Sequence, residues 1–355
     1  MTTDGKVYTA GDVESEVSIQ SISKVFTMAK VMEESGPDAI ASTIGVDATG
    51  MRFNSIVSIE LSQKALGGPE MNALVNPGAI AATSMVKGAT RDEVWKSILG
   101  YYSDFAGRPL SVNQEVFKSE ADTNQRNQAI GYLMYAYGYI KANPMQATDV
   151  YTEQCSVSVN AKDLATMAGT LANAGKNPVT GKQVMKADYV PKVLAVMATA
   201  GLYDDSGKWF FRTGLPGKSG VGGGLIAVSP GRFGIAVVSP PHVSSPAEAI
   251  HSVPESAAMS IRSVISPSSG AAIGASEPRE AGNSPLVNSM PRENRTSNAM
   301  KCPASDTPDI SIPLAAPEFV LLGGSVSKAN RSLLSARYES WKLPNAKMPP
   351  GRSRS

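Results

Sequence analysis

Ser21 and Lys24 stand three residues apart at the head of the run Gln20-Ser-Ile-Ser-Lys-Val-Phe-Thr-Met-Ala-Lys-Val-Met-Glu-Glu-Ser-Gly36. On a helix that spacing sets the two side chains about 60° apart around the axis and about 4.5 Å along it, so they share a face. A serine hydroxyl is a weak nucleophile until a base takes its proton, and a neutral lysine amine one turn away can do that. A free lysine, with a pKa of about 10.4, is neutral at pH 7 in only about one molecule in a few thousand. Service as a base therefore requires a downward shift of roughly three units, about 4 kcal/mol, from burial and a neighbouring cation. A helix N-terminus adds N–H donors and partial positive charge that favour the serine alkoxide and the oxyanion formed after attack. These two residues alone leave a solvated helix start at least as open.

A second stretch able to do chemistry is Gly214-Leu-Pro-Gly-Lys218-Ser219-Gly220-Val221-Gly-Gly-Gly224. Its glycines let backbone approach a ligand, and exposed amides there can point at a developing oxyanion. A phosphate-binding loop needs strand, glycine-rich loop, Lys-Ser/Thr and then helix, whereas here Lys218-Ser219 precedes the glycines and leads into a strand. Lys-Ser-Gly on a strand fits instead the third element of the serine β-lactamase and penicillin-binding arrangement, whose first element is Ser-x-x-Lys. In that arrangement Lys218 supplies the cation that depresses the Lys24 pKa. A glycine-rich edge strand with a solvated lysine is the alternative.

Composition narrows the remaining choices. The chain has 355 residues, 42% hydrophobic and 18% charged, with a net charge of +2, and no basic stripe that points to nucleic acid. No apolar run is long enough to span a bilayer, and no signal-like segment precedes the first helix, so neither membrane nor export is expected. Cys155 and Cys302 lie far apart, which fits a reducing, cytoplasmic compartment better than a disulfide framework. The two histidines, His242 and His251, lie beyond the last clearly patterned segment. That excludes a Ser-His-Asp triad or a histidine-based metal site within residues 1–241 and leaves lysine and tyrosine as bases, with no cofactor called for.

These residues must be positioned by the elements around them. Ile22, Val25, Phe26, Ala29 and Met32 recur at helical spacing and Gly36-Pro37 stops the run. Lys6-Val-Tyr-Thr-Ala10 reads as a strand that begins abruptly, as though a partner strand preceded it, and residues 49–54 read as loop. A turn and a small-residue helix cover residues 72–86, and helical periodicity returns over 92–105, 114–121, 124–140 and 148–155. Asn160 caps a helix with Asp163 at its third position, ending at Ala174-Gly175, and a further helix covers 187–200. Lys208-Trp-Phe-Phe-Arg212, Leu225–Val228 and Phe233–Val238 read as strands, the last two joined by a tight turn at Ser229-Pro-Gly-Arg232. The expectation is an α+β fold: an antiparallel sheet, completed by the N-terminal strand, carrying a largely helical middle. Residues 1–241 suffice for one substantial core, burying roughly 70% of their unfolded surface. Residues 242–355 hold more than half of the prolines, with many serines and no sustained period, and read as a mostly disordered tail.

Seven ordered blocks then carry a resemblance. They are Gln20-Ser-Ile-Ser-Lys24, Val75-Asn-Pro-Gly-Ala-Ile80, Ser119-Glu120 with Asn124-Gln-Arg-Asn127-Gln-Ala-Ile-Gly-Tyr132, Tyr151-Thr-Glu-Gln-Cys-Ser156, Leu171-Ala-Asn-Ala-Gly175 with Pro178-Val-Thr-Gly181, Gly201-Leu-Tyr-Asp204, and Gly214-Leu-Pro-Gly-Lys-Ser-Gly-Val221. Together, over about Asp4 to Pro241, they resemble the serine-dependent glutaminases of the β-lactamase/transpeptidase-like superfamily. The resemblance implies that Ser21 attacks the side-chain amide carbon of L-glutamine, and that the acyl-enzyme is hydrolysed to L-glutamate with release of ammonia. It implies Lys24 as the lysine partner of the nucleophile, and Tyr151 and Tyr203 as tyrosines able to relay protons. The amides of Ser21 and Val221 match the oxyanion hole. Asn76, Glu120 and Asn127 match residues that hold the amino-acid end of the substrate, a carboxylate suiting an α-ammonium and amide NH₂ groups an α-carboxylate.

Read singly, Asn76 before Pro-Gly is a turn former, Glu120 a solvated helix residue and Tyr151 core; Cys155 is read as buried and structural. The resemblance implies homo-oligomers, dimer or tetramer. It also implies a family chain that starts several tens of residues earlier, with a strand and a pocket tyrosine, and that ends in a closing helix to which the residues after Ser239-Pro-Pro241 bear no likeness. Three functional readings are open: a working glutaminase, a non-catalytic or poorly folded relative with an open sheet edge, and another β-lactamase-like serine amidohydrolase. Glu120 facing an α-ammonium argues against the last.

Overall fold

Helix α1, Ser23–Ser35, is the axis of the described structure, and almost every residue from Ser23 to Met32 is buried. A computed structural model describes residues 1–62 and 71–239; the expectation for the segment after residue 241 lies outside them. The apolar stripe of α1 extends right round the helix because α2 (Pro37–Thr43), α4 (Asn76–Met85), α5 (Arg91–Ala106) and α10 (Val190–Ala200) all pack on it. A helix buried on every side is apolar on every side. Lys24, with 1% of its surface exposed, is thus an interior residue and no part of a solvated helix start.

Around α1 the local signals behave as expected. Pro37 at the first position of α2, Pro77 in α4 and Pro191 in α10 open helices where a missing N–H does no harm. Thr90 caps α5 and Gly107 closes it in a left-handed conformation. Asn113 caps α6 (Gln114–Thr123), and Asn143 caps α8 (Pro144–Cys155), one turn earlier than the periodicity suggests. α9 (Ala161–Ala172) carries a complete capping box between Asn160 and Asp163. α3 (Val57–Leu61) and α7 (Gln125–Ala136) complete the helical layer up to α10.

Three strands, β3 (Gly217–Ser219), β4 (Gly224–Ser229) and β5 (Phe233–Val238), form an antiparallel sheet in that order. Pro230 and Gly231, the latter at φ +72°, make the expected tight turn, closed by Arg232 N–H to Ser229 C=O at 3.0 Å. Ile226 and Val228 on β4 face the main core beneath α9, while Leu225 and Ala227 face Leu202 and Trp209. α9 crosses β5 so closely that a Cβ at Gly234 would run into the backbone of Ala168 and Gly169. Gly234→Ala is therefore expected to destabilise by about 3 kcal/mol, read as a fall in Tm of more than ~5 °C.

Two expectations are corrected and one element is added. Lys6–Ala10 forms no strand; the N-terminus meets the sheet instead through Met1–Thr3, by a single bridge from Thr2 to Phe233. Lys208–Arg212 lies inside a helix, α11 (Ser206–Thr213), with Trp209 buried and Phe211 92% exposed. Three adjacent aromatics resemble a strand, but only one has a core to enter, and Gly214 supplies a left-handed helix cap. A separate two-stranded pair, β1 (Val17–Ser18) with β2 (Ser158–Val159), had no signal long enough to read; it places the chain just before Ser21 beside the end of α8.

Candidate active site

Ser21 lies in a single 3₁₀ turn, Gln20–Ile22, that leads directly into α1. The β1–β2 pair and the bond from Ile19 N–H to Val157 C=O, 2.8 Å, hold the approach to this turn. Gln20 takes φ +49°, which turns the chain sharply before Ser21. The glycine-rich loop after β3 lies against the same turn: a Cβ on Gly220 would be 2.9 Å from the Ile19 carbonyl oxygen, and one on Gly222 2.6 Å from that of Ser18. Only glycine permits that approach, and it brings Val221, 48% exposed, over the turn that carries Ser21.

Lys24 points from α1 into a buried polar cluster. Its Nζ donates to Asn76 Oδ1 at 2.6 Å and to the Tyr203 hydroxyl at 3.3 Å. Ser21 lies near enough to the Tyr203 hydroxyl to act on its pKa, so one hydroxyl neighbours both the serine and the amine. Tyr203 is presented from a left-handed backbone position, φ +57°, braced by Ser206 Oγ donating to the Tyr203 carbonyl at 2.7 Å. Its ring packs on Phe53, centroids 5.1 Å apart. Tyr151, from α8, donates to Asn76 Oδ1 at 3.3 Å, and Asn76 Nδ2 donates to Asn127 Oδ1 on α7 at 3.0 Å. Asn76 is thus the hub, placed at the start of α4 by its own N–H bonding to the Phe53 carbonyl.

Burial pulls the Lys24 amine down to about 7, because charge is expensive to hold where water is excluded. Lys218 is equally buried, its Nζ 2.7 Å from the Ser219 carbonyl and 4.3 Å from the centroid of the Tyr203 ring. It is held well below the ordinary lysine range, first by burial and then by Lys24. Desolvation is thus the main cause of the low Lys24 value, and Lys218 does not contribute to it. Burial raises both tyrosine hydroxyls, which stay protonated; nearby Ser21 partly opposes the shift at Tyr203.

The structure brings the candidate residues of the sequence into one neighbourhood. Lys24, Asn76, Asn127, Tyr151 and Tyr203 form one hydrogen-bonded set, and Ser21 neighbours it at the Tyr203 hydroxyl. Glu120, half-buried on α6, is tied to the serine turn by Gln20 Nε2 at 3.2 Å. Three neighbours went unsingled from sequence as parts of the site: Gln20, Phe53 and Cys155. Cys155 is buried as expected, one helical turn beyond Tyr151 and 3.7 Å from Ser23 Oγ; its spacing from Tyr151 was the available signal. Among the described residues no group of three His, Cys, Asp or Glu side chains is placed to hold a metal ion, and no helix is long and apolar enough to cross a membrane.

Residues 1–245 match the family described as glutaminase. The chain belongs to the glutaminase family. It is 51% identical over 240 residues to a glutaminase of Colwellia psychrerythraea, covering 68% of this chain and 76% of that one. It is 48% identical over 241 residues to Glutaminase 1 of Shigella flexneri, over 68% and 76% of the two chains. Among solved structures it is similar to the probable glutaminase ybaS, with a TM-score of 0.66 and 45% identity over 72% of this chain and 82% of that one. A probable glutaminase of Bacillus subtilis gives the same TM-score at 27% identity, over 72% and 83%. The α+β, β-lactamase-like architecture is thus that of the glutaminase fold, and the reaction is hydrolysis of the side-chain amide of glutamine.

Proposed function

We propose that this glutaminase family member hydrolyses L-glutamine through an acyl-enzyme on Ser21, with neutral Lys24 as the base. The observation that carries this reading is the Tyr203 hydroxyl, which accepts from Lys24 Nζ at 3.3 Å and neighbours Ser21, beside an amine whose burial brings it to about 7. The serine proton passes to Tyr203 as the tyrosine's own proton passes to Lys24, so no charged tyrosinate accumulates. Ser21 Oγ attacks the amide carbon, and the backbone N–H groups of Ser21 and Val221 receive the oxyanion. The tetrahedral intermediate collapses as Lys24 returns its proton through Tyr203 to the departing nitrogen, releasing ammonia. Water then attacks the ester by the same route in reverse and frees L-glutamate.

The amino-acid end sits on the other side of the cluster. Glu120 accepts from the α-ammonium. Asn76 keeps a second N–H beyond the one given to Asn127, and Asn127, which accepts through Oδ1, keeps its own NH₂ for the α-carboxylate. Residues 1–241 are read as the catalytic unit, in keeping with the extent of the family match; a homo-oligomer and a cytoplasmic location complete the reading.

The test is ammonia release from L-glutamine by the purified full chain, followed by mass spectrometry for a glutamyl adduct on the Ser21 peptide after rapid acid quench. A folded protein that releases no ammonia would overturn the activity; turnover with an adduct elsewhere would overturn the nucleophile. The pH profile is a further expected result. Because only neutral Lys24 can accept the proton, kcat/KM should rise about tenfold per pH unit on the acid side and level off above about 7. A profile flat from pH 5 to 8 would remove Lys24 from the role.

A further inference from the structure

Thr27 stands three residues after Lys24 on α1, Gln154 three after Tyr151 on α8, and Thr83 seven after Asn76 on α4. Those spacings return each helix to the same face one or two turns on, and there the three residues meet again. Thr27 Oγ1 donates to Gln154 Oε1 at 2.8 Å, and Thr83 Oγ1 approaches the same oxygen at 3.4 Å. Tyr102, from α5, donates its hydroxyl to the Ser23 carbonyl at 2.9 Å, and its oxygen lies 2.5 Å from Thr27 Oγ1. These four side chains are buried, none more than 1% exposed. The helices that supply Lys24, Asn76 and Tyr151 are therefore joined twice, once at Asn76 Oδ1 and once at Gln154 Oε1. Core packing gives no reason for an amide at the second junction. Gln154 Nε2 has no hydrogen-bond partner among the described residues, and a buried donor left unpaired costs stability that an apolar side chain of the same length would keep.

We propose that Gln154 is a positioning residue: by gathering Thr27 and Thr83 on one oxygen it fixes α1, α4 and α8 in the register that lets Lys24 and Tyr151 reach Asn76 Oδ1 together. The inference rests on the reading of Lys24 as the base. A slide of about 1 Å between α1 and α4 is enough to take the 2.6 Å bond from Lys24 to Asn76 out of hydrogen-bond range. Glu120 and Asn127 stand on α6 and α7, outside this second layer, so the grip on the amino-acid end of the substrate is left in place. Gln154 thus acts on the proton-transfer step without touching the reacting atoms.

The experiment measures kcat, KM and Tm of the full chain on L-glutamine for wild type, Gln154→Met, Thr27→Val, Thr27→Ser and the Gln154→Met/Thr27→Val double variant. Methionine keeps the length and removes the amide, and the freed Thr27 hydroxyl can turn to Tyr102 or to the Ser23 carbonyl one turn back. Gln154→Met should therefore keep its Tm within about 3 °C of wild type, lower kcat about tenfold and leave KM within about threefold. Thr27→Val, the same shape without the hydroxyl, should lose as much kcat, and Thr27→Ser, which restores it, should keep about half of the wild-type value or more. The double variant should be no worse than either single one, since both remove the same contact. Gly234→Ala serves as the control for lost stability: its kcat, read well below its Tm, should match wild type. Wild-type kcat in a folded Gln154→Met, or Thr27→Ser as poor as Thr27→Val, would overturn the inference. So would a loss in Gly234→Ala as large as in Gln154→Met, because loosened packing would then suffice to explain both. A fully active Gln154→Met beside an inactive Lys24→Met overturns the inference and leaves the base reading standing, whereas an active Lys24→Met removes both. Should Gln154→Met fail to fold, the contrast between Thr27→Val and Thr27→Ser decides the matter in the same terms.

Discussion

Ser21→Ala should lower kcat for ammonia release from L-glutamine by about 10⁴-fold or more, with KM nearly unchanged. The removed atom is the one that forms the covalent bond, and the described cluster offers no equivalent nucleophile: Tyr151 and Tyr203 are held protonated by burial, and the buried Cys155 thiol is pushed up, away from its reactive thiolate form. The fold should not notice, since Ser21 is half-buried on a turn held by backbone pairing on both sides. Tm by differential scanning calorimetry should stay within about 2 °C of wild type. Residual turnover above about one per cent, at unchanged Tm, would mean that another group attacks the amide.

Lys24→Met should be nearly as damaging, lowering kcat by about 10³-fold, while stability goes the other way. Methionine fills the path of the lysine stem and removes only the amine, so no large cavity opens. The unfolded chain holds its lysine proton up to the ordinary value of 10.5, whereas the folded chain releases it near 7. Between those values the unfolded state binds more protons, so this group makes wild type more stable as pH rises through the window, and least stable below about 7. Lys24→Met abolishes that dependence. Its Tm relative to wild type should therefore be highest below pH 7 and the gap should close as pH rises toward 10. A fall in kcat of less than about tenfold would contradict the base role, and a variant less stable than wild type at pH 6 would contradict the cost of burying the charged amine. The pairing of lost activity with gained stability is what a strained functional group leaves when it is removed.

Residue order carried a good deal of this. The Asn160–Asp163 box and the Pro230-Gly231 turn are short-range patterns, and each appears where chain-local geometry puts it. The seven blocks carried the family, because most of them report residues that gather around one polar cluster. What a linear pattern cannot carry is the sign of an environment. Lys24 and Lys218 look like a base and its helpful cation, yet both are buried and both are held below the ordinary lysine range, the shift coming first from lost water. The aromatic triplet at Trp209 looked like a strand until the position of the core decided which ring could enter it.

By itself the sequence determined the chemistry that is available: one serine and one lysine at helical spacing, tyrosines in place of histidines, and a glycine-rich strand end, all properties of neighbours along the chain. Only the tertiary structure decided that a tyrosine 179 residues from Lys24 bonds its amine beside Ser21, that Asn76 joins Lys24, Tyr151 and Asn127, and that Gln20 reaches Glu120. The reason is physical. A pKa and a hydrogen bond depend on the water excluded and the atoms within about 3 Å, and α1 acquires both from four helices that pack on it from distant parts of the chain.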